Sequence, residues 1–452
     1  MRDVVPQGNH MNPAFFPDGK FYVSLPAISG VSFSLNNAFA YSDLFTEIPG
    51  EDSVQMNVDN LLSKIGPGDF FNVSTNISLF QFGIRLGDKN TITLFANERM
   101  TAGMLYPRDL LDYAWRGNGD ILGETFTEKN LKTSVNAFRE IGLGYSRKFR
   151  VLGDRSLIVG VRVKTLQGNI HVNSSDNLSV DILTNTDRFD LNINVNDPVI
   201  RTAGLEALND DEIDAGSYFG SNSNKGFGFD FGADIELTDK INITLAVNDI
   251  GSIRWKEALK NYRALNTSIN YEGIDLKDLD DVTQVIEDTL SNKFQDTTNI
   301  NPFSTSLNTR TFLGGSYRIR PNSTISASIS NVFILDKPNT SIGVGFTQQL
   351  GKILTASATL SKKPGQTVTF GGGFAVRLGF FQMYTTVGNI LGYSDVRNLQ
   401  NVDFRFGINF VFGRHKPKEL KPKEQLGPFP DWYVPGYEVI DDGIEDEDDG
   451  LF

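Results

Sequence analysis

Between Asn322 and Phe412, apolar and polar side chains alternate one for one. Ile325, Ala327 and Ile329 share one face, and Thr324, Ser326 and Ser328 share the other. Ile342, Val344 and Phe346 alternate with Ser341, Gly343 and Gly345; Val368, Phe370, Phe374 and Val376 face away from Thr369, Gly371, Gly373 and Ala375. The last run sets Phe404, Phe406, Ile408, Phe410 and Phe412 against Arg405, Gly407, Asn409 and Val411. A period of two over runs of about ten residues predicts long β-strands with one apolar and one polar face. The breaks are short, as at Leu350-Gly351-Lys352 and Leu378-Gly379, so the strands form an antiparallel meander.

The alternation recurs upstream. Strand-like sequence begins at Lys20, resumes after Pro26 through Val31, Phe33 and Leu35, and returns over 72–86, 91–99, 139–150, 156–168, 227–237 and 241–247. The phase slips near Leu79 and Phe80, which predicts a bulge. Short turns fall near 88, 153, 239, 321, 351 and 378, and most other connections are long. Inside the long ones, helices are predicted over Val58 to Lys64, Pro107 to Trp115, Lys129 to Ala137, Trp255 to Leu265 and Leu276 to Phe294. An extra hairpin is readable at 178–195.

Two architectures carry this pattern. A soluble barrel or sandwich buries the apolar face, whereas an outer-membrane barrel turns it to lipid and lines its lumen with the polar one. A soluble surface would be dense in Lys and Glu; the polar face here is mostly Ser, Thr, Asn and Gly. The predicted fold is all-β: an antiparallel transmembrane-type β-barrel of about 14 strands with helical segments in long loops, or about 16 if the extra hairpin joins the wall. An even count puts both termini on the short-turn, periplasmic side. Residues 1–19, with Pro6, Gly8, Pro13, Pro17 and Gly19, form an irregular arm, 20–412 the barrel, and 413–452 a Pro-rich acidic tail.

Composition narrows the function. The 452 residues carry a formal net charge of −13, which argues against nucleic acid, whose phosphates need a dense basic face. Cysteine is absent and the three histidines, His10, His171 and His415, stand far apart. No Cys/His set therefore has metal-ligand spacing, and no cofactor is implied. Asp210-Asp211-Glu212 and Asp278, Asp280 and Asp281 could hold calcium, but they lack the EF-hand glycine and terminal glutamate spacing and read as solvated loop charge. Gly226-Phe227-Gly228-Phe229 opens a strand rather than a strand-to-helix turn, so it is no dinucleotide fingerprint. With no nucleophile elbow or acid–base pair to name, a non-enzymatic protein is expected. No run of about eighteen apolar residues occurs, which excludes a transmembrane helix and leaves a barrel open. Residues 1–6 lack the apolar core of an export signal, so an exported barrel is expected to be a trimmed chain.

The candidate working residues are charges on the polar face. Arg162 and Lys164 lie opposite Leu157, Val159, Val161 and Val163, while Asp230, Asp234 and Glu236 lie opposite Phe229, Phe231 and Ile235. A lipid-facing Arg or Lys costs about 2–4 kcal/mol at the midplane, which turns these groups to the lumen. There they either pair to rigidify a filled barrel or line a permeation path. In the tail, Phe429, Trp432 and Tyr433 stand in a Pro-spaced stretch ahead of an acidic run from Asp441 to Asp449. They read either as part of a solvated end or as anchors in a partner's groove.

Asn12-Pro13-Ala14-Phe15-Phe16-Pro17, the stretch from Lys20 to Val31, and Ala40-Tyr41-Ser42-Asp43-Leu44 resemble a Bacteroidetes envelope family of outer-membrane-type β-barrels, mostly of undefined function. Its members include the plug subunit of the type IX secretion translocon. The resemblance implies an accessory or gating subunit in the outer membrane of a Gram-negative cell, partnered by lipid and a large translocon barrel, with no catalytic residues. The Asn-Pro-Ala opening is also similar to that of fatty-acid-channel-like barrels, where the N-terminal arm enters the lumen. This chain departs from them after Ala14, with Phe-Phe-Pro in place of small residues. A transport pore for small solutes or hydrophobic ligands is the alternative.

Overall fold

A computed structural model describes residues 4–413 except 16–18, 26–29, 51–52, 118, 152–154, 188–189, 206–219, 221, 265–266, 272–295 and 364–365. Beyond 413 it describes only the pairing of 421–422 with 437–438.

Fourteen antiparallel strands close into one barrel. The wall begins with β1 (Phe21–Ser24, continued by Val31–Asn36), β2 (Phe70–Leu86), β3 (Asn90–Leu105), β4 (Thr133–Val151) and β5 (Arg155–Ser174). It continues with β6 (Lys225–Glu236), β7 (Ile241–Trp255), β8 (Arg310–Arg320), β9 (Ser323–Ile334) and β10 (Lys337–Leu350). Last come β11 (Leu354–Lys362), β12 (Thr369–Leu378), β13 (Phe381–Val387) and β14 (Asn401–Phe412). Each strand pairs with the next, and β14 returns to β1 with Phe410 opposite Val23 and Phe404 opposite Phe33. The slip near Leu79 is a register shift between Ser78 and Phe80. The hairpin read at 178–195 forms as Ser179–Thr184 and Leu191–Asn196, but it stands outside the wall. It belongs to a four-stranded sheet with Thr125–Glu128 and Ser268–Tyr271, so the wall holds fourteen strands rather than sixteen.

Among the described residues, the connections at one end of the barrel are tight turns. Gly351 and Gly379 take φ of +66° and +61° there, a conformation that a Cβ disfavours. Long connections leave the other end, apart from a tight turn at Leu335 and Asp336 with φ of 51° and 61° and the six-residue link between Lys362 and Thr369. The Val58–Lys64 helix forms, with the Asn57 side chain accepting from the Asn60 N–H at 2.9 Å, and so does a helix over Arg108–Arg116. Two expected helices do not form. Residues 133–137 open β4 against the overhanging end of β3, and Asn261–Ala264 pairs with Asp296–Asn299. In both places a strand edge beyond the wall offers unpaired backbone groups, and satisfying them overrides the local apolar spacing. The helix expected over 276–294 lies outside the described residues.

The alternation resolves into an apolar exterior and a polar interior. Leu94, Leu143, Val163 and Phe229 form one row across four neighbouring strands, and Leu313, Ile329 and Ile342 form another. These rows look outward: Leu143 is 58% and Val344 51% exposed, while Thr93, Ser146 and Lys164 on the opposite face are buried. At the short-turn end Phe21 stacks on Phe412 at 4.5 Å and Phe380 on Phe412 at 5.6 Å, a local piece of the aromatic girdle found where such barrels meet the lipid interface. Leu143→Arg should therefore destabilise the barrel in bilayers by about 2–4 kcal/mol. Ser328→Arg, which projects into the lumen, should leave the midpoint nearly unchanged. Urea titration of vesicle-inserted protein checks the pair.

Candidate functional site

Two elements fill one side of the lumen: a network of charges on the inner face of β3–β8 and the N-terminal arm. The network turns on a bulge in β7. Phe229 lies opposite Ile250 and Phe231 opposite Val247, so two residues of β7 face one of β6. Both of those residues, Asn248 and Asp249, are consequently buried, with Asp249 at φ +63°. Asp249 accepts a two-pronged bond from Arg99 (Nη1 at 2.8 Å, Nη2 at 3.0 Å) and another from Arg310 Nε at 2.7 Å, and it pairs with Lys164. Lys164 and Arg162 each reach Asp230 at 2.8 Å, and Asp230 also accepts from the Asp249 main-chain N–H at 2.6 Å. Glu140 pairs with Arg99 at 3.1 Å and accepts from Asn97 at 2.8 Å.

The network thus holds four cations, Arg99, Arg162, Lys164 and Arg310, against three anions, Glu140, Asp230 and Asp249. Taking charge out of water is costly, and it is tolerated here because every carboxylate has at least two charged or polar partners.

The arm crosses the lumen. On the β13–β14 side, Gln7 exchanges bonds with Asn409 at 2.7 and 3.1 Å, Gln382 donates to the Val4 carbonyl at 2.8 Å, and Val5 packs on Ala375 and Tyr384. On the β5–β7 side, Arg162 donates to the His10 carbonyl at 3.3 Å and Asn248 to the Met11 carbonyl at 2.9 Å. Asn12, Ala14 and Phe15 are buried. The Asn12 carboxamide donates to the carbonyls of Ala233 at 3.1 Å and Leu245 at 2.9 Å, one on each of two neighbouring strands. Two wall glycines make room for it. A Cβ at Gly232 would overlap Asn12, and one at Gly160 would overlap the backbone of Pro13 and Ala14. Toward the long-loop end, His171 stacks on Trp255 at 4.9 Å beside a cluster of Phe138, Leu166, Ile253 and Leu307.

The opposite side stays open. There the inward residues of β9–β11 are mostly short, among them Ser326, Ser328, Ser341 and Ser357. A cavity of about 1200 Å³ remains there among the described residues. Its lining runs from Asp88, Asp239 and Asn322 at the short turns to Asn36, Asn72 and Lys363 near the long loops.

The five charges read from alternation do not form one group. Arg162, Lys164 and Asp230 join the network. Asp234 instead accepts from Thr244 and, at 3.1 Å, from Asn242; Glu236 accepts from Ser156 at 2.6 Å. Both line the cavity nearer the short turns. Phe429, Trp432 and Tyr433 lie outside the described residues, as do the acidic clusters at 210–212 and 278–281. Arg99 and Glu140, missed from the sequence, sit in phase with Asn97 and Gly142 on lumen faces, so their alternation would have found them. Asp249 was out of reach, because the bulge reverses the phase at that point.

A family profile described as "Family of unknown function (DUF5723)" matches residues 13–388. No curated protein matches the chain. Among solved structures, the chain is similar to a Pseudomonas aeruginosa FadL homologue at 13% identity, covering 90% of this chain and 94% of that one with a TM-score of 0.40. It is also similar to the P. putida toluene transporter TodX (10%, 89% and 93%, TM-score 0.39) and to the translocator domain of autotransporter NalP from Neisseria meningitidis (10%, 87% and 88%, TM-score 0.31).

Asp249→Asn should cost about 3–5 kcal/mol of barrel stability, because it leaves Arg99, Lys164 and Arg310 crowded in a buried site without their shared anion. The denaturation midpoint of the inserted protein reads it. Asn12→Ala should loosen the arm by about 1–2 kcal/mol through two lost bonds. Limited proteolysis should then cut the arm faster while the wall keeps its unfolding midpoint.

Proposed function

The chain belongs to this family of unknown function, and on that premise we propose that it is a non-enzymatic outer-membrane β-barrel through which small polar solutes pass. The observation that carries the reading is the cavity of about 1200 Å³ that follows the lumen from the short turns toward the long loops. Serine, threonine and asparagine predominate along it, and their hydroxyls and amides can stand in for part of a polar solute's hydration shell. Val5, Phe15, Phe312 and Tyr384 add apolar surface between these polar groups. The apolar exterior supports a bilayer as the surrounding medium, and membrane lipid is then the partner of the outer face. The pairing of Phe21 with Phe412 at the short-turn end, with the rule that short turns face the periplasm, supports a periplasmic position for both ends of the wall in a Gram-negative outer membrane.

The accessory-subunit reading, with a translocon barrel docked on Phe429, Trp432 and Tyr433, draws on residues outside the described ones, and no contact among the described residues favours it.

Vesicles containing the purified protein should swell in isosmotic solutions of small sugars or amino acids, at a rate that falls with solute size. Vesicles that stay impermeable to every small solute, with the protein folded by heat-modifiable gel mobility, would rule the reading out.

A further inference from the structure

We propose that the passage favours anions, so that its solutes are small carboxylate- or phosphate-bearing molecules; the inference rests on the transport reading above. Net composition points the other way, since the chain carries −13. The lining does not follow composition. At the short-turn mouth it presents Arg85, Lys148, Lys240 and Arg318 with Asp88, Asp234, Glu236 and Asp239. Deeper in, Arg99, Arg310, Lys363 and Arg405 stand with Asp403 as the one carboxylate among the described residues of the lining. The mouth is balanced, and the excess of three positive charges lies beyond it. The buried layer behind the lining, Arg162 and Lys164 against Glu140, Asp230 and Asp249, lowers this excess by one and does not reverse it.

The placement matters more than the count. Arg405, Ser32, Asn76 and Arg99 stand side by side across four neighbouring strands, which sets two guanidinium groups at one level with short polar side chains between them. Arg310 reaches the same level through Asp249, which it engages with Nε at 2.7 Å; its terminal nitrogens have no protein partner among the described residues. Arginine stays charged at any physiological pH and donates in a fixed plane suited to carboxylate and phosphate. Low-dielectric walls focus the field of such groups along a narrow aqueous path.

Reversal potentials across a planar bilayer under a KCl gradient test this. The native protein should show a chloride-over-potassium permeability ratio above one. A unit charge about 7 Å from the path shifts an ion's occupancy by roughly two- to three-fold. Arg405→Gln should lower the ratio by about that factor and Asp403→Asn should raise it, so the two variants move in opposite directions and a mere folding defect cannot mimic the pair. Conductance with potassium preferred, or a ratio that neither variant shifts, overturns the inference and leaves the transport reading standing. Absence of conductance overturns the transport reading and the inference together.

Discussion

A chain that crosses a bilayer with strands must pair every backbone N–H and C=O with another strand, because hydrocarbon offers no substitute partner. That requirement closes the sheet, and closure sets the rest. β14 must return to β1, the outer face must be apolar all the way round, and everything polar must share one interior. The mixture of Ser, Thr, Asn and charge opposite the Phe and Ile rows follows from that single constraint.

The interior is then divided by side-chain size. On β3–β8 long charged groups meet and neutralise one another, and the arm packs against them through glycines that leave space for a backbone. On β9–β11 the inward residues are mostly short serines, threonines and glycines, and the gap persists as the cavity. A packed interior and an open cavity, the structural sides of two competing readings of the sequence, thus occupy opposite sides of one lumen. The packed side holds the arm in place, and the arm in turn forms part of the cavity wall through Val5, His10 and Phe15.

Global charge and local charge diverge here. The acidic excess includes loop and tail residues such as the run from Asp441 to Asp449. The lumen instead concentrates arginines, of which Arg99, Arg162, Arg310 and Arg405 are each tied to a carboxylate. A field that acts on a passing solute is set by the nearest groups, within about a Debye length of 8–10 Å, and distant loop charge is screened.

Much of this was legible in the residues themselves. A period of two, short turns alternating with long loops, and a polar face poor in Lys and Glu determined the barrel, its apolar exterior and the lumenal side of Arg162, Lys164 and Asp230, because alternation is a local property that survives any arrangement of neighbours. Helix and strand were confused at 129–137 and 255–265, where pairing with a distant edge outweighed local spacing. Tertiary structure alone decided that the hairpin at 179–196 leaves the wall, that Asn12 is seated over Gly232, and that a one-residue bulge swings Asp249 inward to collect Arg99, Lys164 and Arg310. Those outcomes depend on register between strands far apart in the chain, and register is a relation that no single stretch of sequence contains.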